Sequence, residues 1–298
     1  MLDRSKVKLG VTPTLWWNDD FPSIDVGITF GQCVSEMALA GFEGCSVGHK
    51  YPTDPTVLRS ELELRGLQVS EPWVSTFFTI NDMEDHTLRS FHQQLEFIRA
   101  MGGTDMVVAE LGGSAHPIPV AVFANKAVYD DRQWAALTAG LNRLGGIAKD
   151  EGMQLCYHHH MGTGVMTRPE LDRLMESTDP AVVHLLFDSG HMAFAGGDPV
   201  DVVRTYGERI RHVHLKDVRA DVVKRAHDES LSFNEAVEEG VFTVPGDGDL
   251  DMGAILQALG EADFEGWLVV EAEQDPAKAR PLEYALKARA YLREVLGW

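Results

Sequence analysis

The feature that most constrains this chain is an alternation repeated eight times, a short apolar run followed by a longer stretch with helical spacing. The runs are Lys8–Pro13, Phe42–Gly48, Gln68–Val74, Asp105–Leu111, Gln154–His160, Val183–Asp188, Ile210–Lys216 and Trp267–Glu273. Between them, Leu88, Phe91, Leu95 and Ile98 recur at three- and four-residue steps. So do Trp134, Leu137, Leu141 and Leu144, and later Leu282, Leu286 and Leu292 with Ala285 and Ala288. That is the spacing of helices burying one face. Strands that alternate with helices pair in parallel through right-handed crossovers. Eight such units in 298 residues predict a closed (β/α)8 TIM barrel, a fold that commonly uses about 250 residues. An open doubly wound sheet would want a glycine-rich turn after the first strand, where this chain reads VTPTLWW. No linker-like stretch divides residues 1–298, which are expected to form one barrel domain. An elaborated loop is expected at about 219–251, with a helix near Ser230–Glu239 followed by PGDGDLD.

Charge narrows the partners. A formal net charge of −20 repels phosphate backbones and anionic lipid, which argues against nucleic acid. No run approaches the roughly 18 apolar residues of a membrane span, and MLDRSKVKLG has no signal-peptide apolar region. Three scattered cysteines, Cys33, Cys45 and Cys156, suit a reducing compartment. A cytoplasmic protein is therefore expected, with its oligomeric state open and a homo-oligomer allowed.

The ionisable residues collect where strands end. Asn18, Asp19 and Asp20 follow the first run; His49 and Lys50 close the second; Glu71 lies in the third; Glu110 closes the fourth. His158 and His160 close the fifth and Asp188 the sixth, followed by His191. His212, His214 and Lys216 run through the end of the seventh, and Glu271 and Glu273 close the eighth. Alternation along a strand puts Gln154, Cys156, His158 and His160 on one face, His212, His214 and Lys216 on another, and Trp267, Val269, Glu271 and Glu273 on a third. The C-terminal rim of a barrel is where its chemistry sits. Each residue also has a plainer reading. A lone strand histidine is usually packed core, Glu71 could pair with a neighbouring lysine, and Glu235–Glu239 is a solvated face. Four strands delivering His, Asp or Glu to one rim point instead to a metal site. Nitrogen and oxygen donors without thiolate suit Mn²⁺, Co²⁺ or Zn²⁺.

The strings DSGH (188–191), HVHLKD (212–217), PGDGDLD (245–251) and GWLVVEAEQD (266–275) resemble the xylose isomerase-like TIM barrel superfamily over essentially the whole chain. GVTPTLWWNDD, VGHKYP, EPWVS, CYHHHMGTGV and VEAEQDP are similar to the inosose dehydratases within it. The resemblance implies one divalent metal, Mn²⁺ or Co²⁺ first, held by Asp188, His214 and Glu271. At the fourth position the superfamily usually has a strand-five glutamate and this chain has His158, with His160 and Glu110 as alternatives. It implies a metal-dependent dehydratase acting on a small polyol ketone, 2-keto-myo-inositol, with a trihydroxycyclohexane dione as product in inositol catabolism. It also implies glutathione as a cofactor. Glu271 would be the first choice of base and His158 the second, with His191 or His160 as acid and Lys216 holding the oxyanion. Trp16, Trp17, Trp73, Asn18, Lys50, Glu110 and His160 would line the substrate. The alternative nearest in chemistry is a sugar or inosose isomerase or epimerase, which the missing second glutamate disfavours. An apurinic-site endonuclease would want a basic surface, and a non-catalytic sugar binder would need no metal cluster.

Overall fold

The computed structural model describes residues 2–298. Its strands are β1 (Val7–Val11), β2 (Gly44–Cys45), β3 (Gln68–Val69), β4 (Trp73–Thr76), β5 (Asp105–Glu110), β6 (Gln154–His158), β7 (Val183–Asp188), β8 (Ile210–Leu215), β9 (Asp217–Val218), β10 (Phe242–Thr243) and β11 (Gly266–Val270). Nine of them form one sheet in the order β3-β2-β1-β11-β8-β7-β6-β5-β4, parallel at every pairing. The two end members, β3 and β4, are separated in sequence only by Ser70, Glu71 and Pro72. The sheet therefore closes on itself through one interrupted strand, and the expected barrel of eight is present. Pro72 explains the interruption: it has no N–H to give a ladder and restricts the residue before it.

The helices lie outside the strands. The helix Asp131–Asp150 starts on an Asp130–Gln133 capping box and turns Leu137, Leu141 and Leu144 into the barrel wall, all fully buried. Truncating one such leucine to alanine typically costs about 2–5 kcal/mol. The last helix, Pro281–Leu296, buries Ala285, Ala288 and Leu292, but Leu286 is exposed on its outer side. Its expected place in the apolar stripe is thus corrected, since a four-residue step from Leu282 falls off the buried arc.

Residues 219–251 hold more than the one helix expected. Helices Ala220–Asp228 and Phe233–Glu238 pack with Phe21, Phe194, Val218 and Phe242 into a second apolar cluster. Strands β9 and β10 form an antiparallel ribbon beneath them. The returning PGDGDLD turn is gathered by one carboxylate. Asp217 accepts hydrogen bonds from the backbone N–H of Gly246 (3.1 Å), Gly248 (3.2 Å) and Leu250 (3.0 Å). Gly246 has φ +85°, and a Cβ there would meet the Tyr291 ring at 2.5 Å, so only glycine serves. Among the described residues no helix is long and apolar enough to cross a membrane.

Candidate active site

Inside the barrel the side chains form tiers, because alternate residues of every strand point inward. Lowest lies Asp105 of β5, which accepts from Gln154 Nε2 (2.9 Å) and pairs with His212 Nδ1 (2.8 Å). Above come Val107, Cys156 and Leu186, a small apolar cluster. The next inward positions on the same strands are His158 and Asp188. With His214 and Glu271 they bring four donor atoms within 4.8 Å of one another, all four residues buried. His158 Nε2 lies 3.4 Å from Asp188 Oδ2, and His214 Nδ1 lies 2.8 Å from Glu271 Oε2 and 3.8 Å from Asp188 Oδ2.

The electrostatics of this floor are set by close opposite charges. Burial alone would push the Glu271 carboxyl up. Lys216 and His214 outweigh it and hold Glu271 well below the usual carboxylate range. For His214, burial pulls down while Glu271 and Glu71 pull up, and the imidazole is raised to about 10. Glu71 borders the same cavity, with His212 Nε2 at 3.3 Å and His214 Nε2 at 3.4 Å. These two histidines overcome its burial and lower it to about 2. His158 is different: burial, then His214 and His160, keep it neutral, well below its ordinary value.

One observation tests whether these residues suit a cation. Both ring nitrogens of His158 and Oδ2 of Asp188 are buried without a hydrogen-bond partner. Buried polar atoms are nearly always satisfied, and a neutral imidazole facing a carboxylate oxygen and a second histidine is a donor set for a divalent metal. The residues fit the ion. Above them opens a cavity with about 150 Å³ of free space, walled among others by Asn18, Asp20, Trp73, His160, Glu271 and Glu273.

The family described as xylose isomerase-like TIM barrel matches residues 27–295. The chain is 51% identical over 298 residues to the inosose dehydratase of Geobacillus thermodenitrificans (strain NG80-2), with 100% of each chain covered. It is 49% identical over 295 residues to that of Clostridium tetani (strain Massachusetts / E88), with 99% of each covered. The chain belongs to the inosose dehydratase family of xylose isomerase-like TIM barrels. By that membership it is an enzyme of the hydro-lyase class. Among solved structures, that of an IOLI protein with a zinc atom superposes with TM-score 0.72 at 16% identity, covering 97% of this chain and 98% of that one. At such identity the likeness concerns the fold.

For this member of the inosose dehydratase family, several expected substrate contacts lie elsewhere. Trp16 is fully buried behind the wall, its Nε1 donating to Glu36 at 2.6 Å. Trp17 is equally buried. Lys50 turns outward to Asp25 (2.7 Å) and the Ile28 carbonyl (3.1 Å). Glu110 spends both oxygens on Thr76, Phe78 and Thr79, pinning the loop after β4. None of the four lines the cavity. Trp73 does, half-exposed at the mouth with its ring edge-on to His158 and His160, each 5.5 Å away.

Two expected roles also shift. Lys216 is fully buried and does not wall the cavity; its ammonium is enclosed by Asp188, Glu271, Glu273 and His191. Its ammonium thus faces carboxylates, and its expected place at a substrate oxyanion is corrected. Its stem passes over Gly190, where a Cβ would meet Lys216 Cγ at 2.5 Å, which explains the glycine of DSGH. Glu71 pairs with two histidines instead of a lysine. Glu273 was legible as a partner of Glu271 through strand parity. His116, which faces Asp20 at 3.1 Å and His160 at 4.9 Å, comes from a loop and gave no signal in the sequence.

Proposed function

We propose that this enzyme eliminates water from 2-keto-myo-inositol to give a trihydroxycyclohexane dione, as a metal-dependent dehydratase. Full-length similarity at 51% identity to a dehydratase of that class carries the reaction, and the orphaned donors of His158 and Asp188 support the metal. His158, Asp188, His214 and Glu271 would hold the ion, Mn²⁺ or Co²⁺ being suited to two imidazoles and two carboxylates. Once bound, it supplies a Lewis acid beside the ketone, without which an α-proton is too weakly acidic for a side chain to remove.

The chain's own groups then divide the proton work. Glu271 faces the cavity and is kept an anion by the Lys216 ammonium 2.9 Å away, which places a carboxylate base for the α-proton. His158 would have no lone pair left for that task with the ion on its ring. Of the two histidines considered as acid, only His160 walls the cavity; the Nε2 of His191 accepts from Lys216 at 2.8 Å. Burial and His116 hold His160 down to about 4, so it stands neutral and would relay to the departing hydroxyl a proton taken from cavity water, while the α-proton stays on Glu271. Asn18, whose Nδ2 approaches Glu273 Oε1 at 3.4 Å, and Trp73 remain to orient the ring.

Incubating metal-loaded protein with 2-keto-myo-inositol in deuterated water and weighing the product decides the matter. Loss of one water is expected. A product that keeps all its oxygens and merely gains solvent deuterium replaces this reading with an epimerase.

A further inference from the structure

Beside the four-residue floor stands a second group of donors. His160, His191 and Glu273, all buried, bring their ligand atoms within 4.8 Å of one another. Nδ1 of His191 is buried with no hydrogen-bond partner, and this ring is 99% covered. Its ring stacks on His158 of the first group at 5.3 Å, so the two groups adjoin. Taken by donor type alone, this is a site for a second divalent ion.

The space is claimed by a side chain. The Lys216 ammonium sits 2.8 Å from Glu273 Oε2, 2.8 Å from His191 Nε2, 2.9 Å from Glu271 Oε2 and 3.3 Å from Asp188 Oδ2. It thus touches two members of each group, in the place a bridging cation would take. The Phe242 ring closes the far side, 4.7 Å from Nζ. We propose that Lys216 is a built-in second cation that restricts this site to one metal ion. The rest of the inference rests on the metal reading given above.

Charge balance gives the reason. Four buried carboxylates, Glu71, Asp188, Glu271 and Glu273, crowd this floor, and buried carboxylates stay ionised only when paired. One divalent ion, with the His212 cation beside Glu71, leaves one of the four negative charges uncompensated. A fixed ammonium supplies the missing charge with no second metal, and it offers no open coordination position to a second water or substrate oxygen. Replacing it by a neutral side chain removes that charge and leaves Glu273, His191 and His160 with donors facing one another. A second divalent ion then fills the vacancy.

The test is stoichiometry. Wild-type protein, Lys216→Met and Lys216→Arg are stripped with chelator, reloaded with excess Mn²⁺, freed of unbound ion and assayed for metal per chain. Mn²⁺ electron paramagnetic resonance then reports whether the ions are isolated or exchange-coupled. One isolated ion is expected in wild type and in Lys216→Arg, and two coupled ions in Lys216→Met. Adding Glu273→Gln to Lys216→Met should bring the count back to one. Folding is checked by circular dichroism, and a variant that folds only with Mn²⁺ present is counted in that form. One ion in folded Lys216→Met overturns the inference and leaves the metal reading standing. Two in wild type overturn the inference whatever the variants do. None in wild type overturns both.

Discussion

Two levels of the same barrel interior use histidine in opposite ways. At the lower level His212 is fully enclosed, with Asp105 on one nitrogen at 2.8 Å and Glu71 near the other at 3.3 Å. It faces a carboxylate on each side, and the nitrogen toward Asp105 is hydrogen-bonded while the one toward Glu71 is not. At the rim His158 is just as buried, yet neither nitrogen has a hydrogen-bond partner, and Asp188 Oδ2 facing it has none either. Burial alone therefore does not separate a structural histidine from a functional one. What separates them is that His212 has one nitrogen matched by a hydrogen bond and a carboxylate at each, whereas neither nitrogen of His158 is matched by a hydrogen bond.

The sharpest way to break that comparison is at the rim. Glu271→Gln removes the base and one donor while leaving the shape, and turnover should fall by about a thousandfold. Steady-state dione formation with metal in excess measures it. Activity within tenfold of wild type would mean that the unmatched level is not the reacting one.

The lower level should respond in stability instead. Asp105→Asn leaves a buried imidazolium with one of its two anions removed, and breaking such a pair typically costs about 3–5 kcal/mol. Urea unfolding should show that loss while metal content per chain stays the same. If metal is lost along with stability, the two levels are one functional unit and the contrast fails.

The same pair has a pH signature. Burial tends to lower the His212 pKa, but Glu71 and Asp105 outweigh it and raise it above 6.5. A group raised in the folded state contributes its full stability below the unfolded value and loses it as pH climbs through the folded one. The difference in melting temperature between wild type and Asp105→Asn should thus be widest below pH 6.5 and narrow at higher pH. A gap that widens with pH contradicts the ion pair.

The smallest effect belongs to Lys50, which lies outside both levels. Its pair with Asp25 is partly solvated on each side, and such pairs contribute about 1 kcal/mol or less. Lys50→Ala should leave turnover within about twofold, since surface changes of this kind rarely reach a site they do not line. A tenfold rise in KM would restore Lys50 as a substrate contact.

How much of this was legible in the sequence differs from residue to residue. Period-two alternation is a local property of extended backbone, so it placed His158 with His160, His212 with His214 and Glu271 with Glu273 on common faces before any contact was known. The same alternation made the strand-helix count, and with it the barrel, readable. Helical spacing was weaker at its edges, as exposed Leu286 shows. The segment 219–251 was marked as elaborate, but its second helix was hidden, because Ala220–Asp228 contributes only Val222 and Ala226 to a core. Trp16, Lys50 and Glu110 carry the right chemistry close to the right strand ends and still turn away from the cavity.

By itself, then, the sequence determined which side chains enter the barrel, because facing is set by each strand's own geometry. Only the tertiary structure decided at what height each one stands and what it meets there. That depends on how neighbouring strands are staggered, as where β7 shifts register against β8 between Leu185 and Leu186 and sets Asp188 opposite His214. Two histidines of identical parity, His212 and His214, thereby came to serve different levels. No local pattern could distinguish them, since the partners that do so, Asp105 on β5, Glu71 between β3 and β4, and Glu271 just past β11, lie from 57 to 143 residues away in the chain.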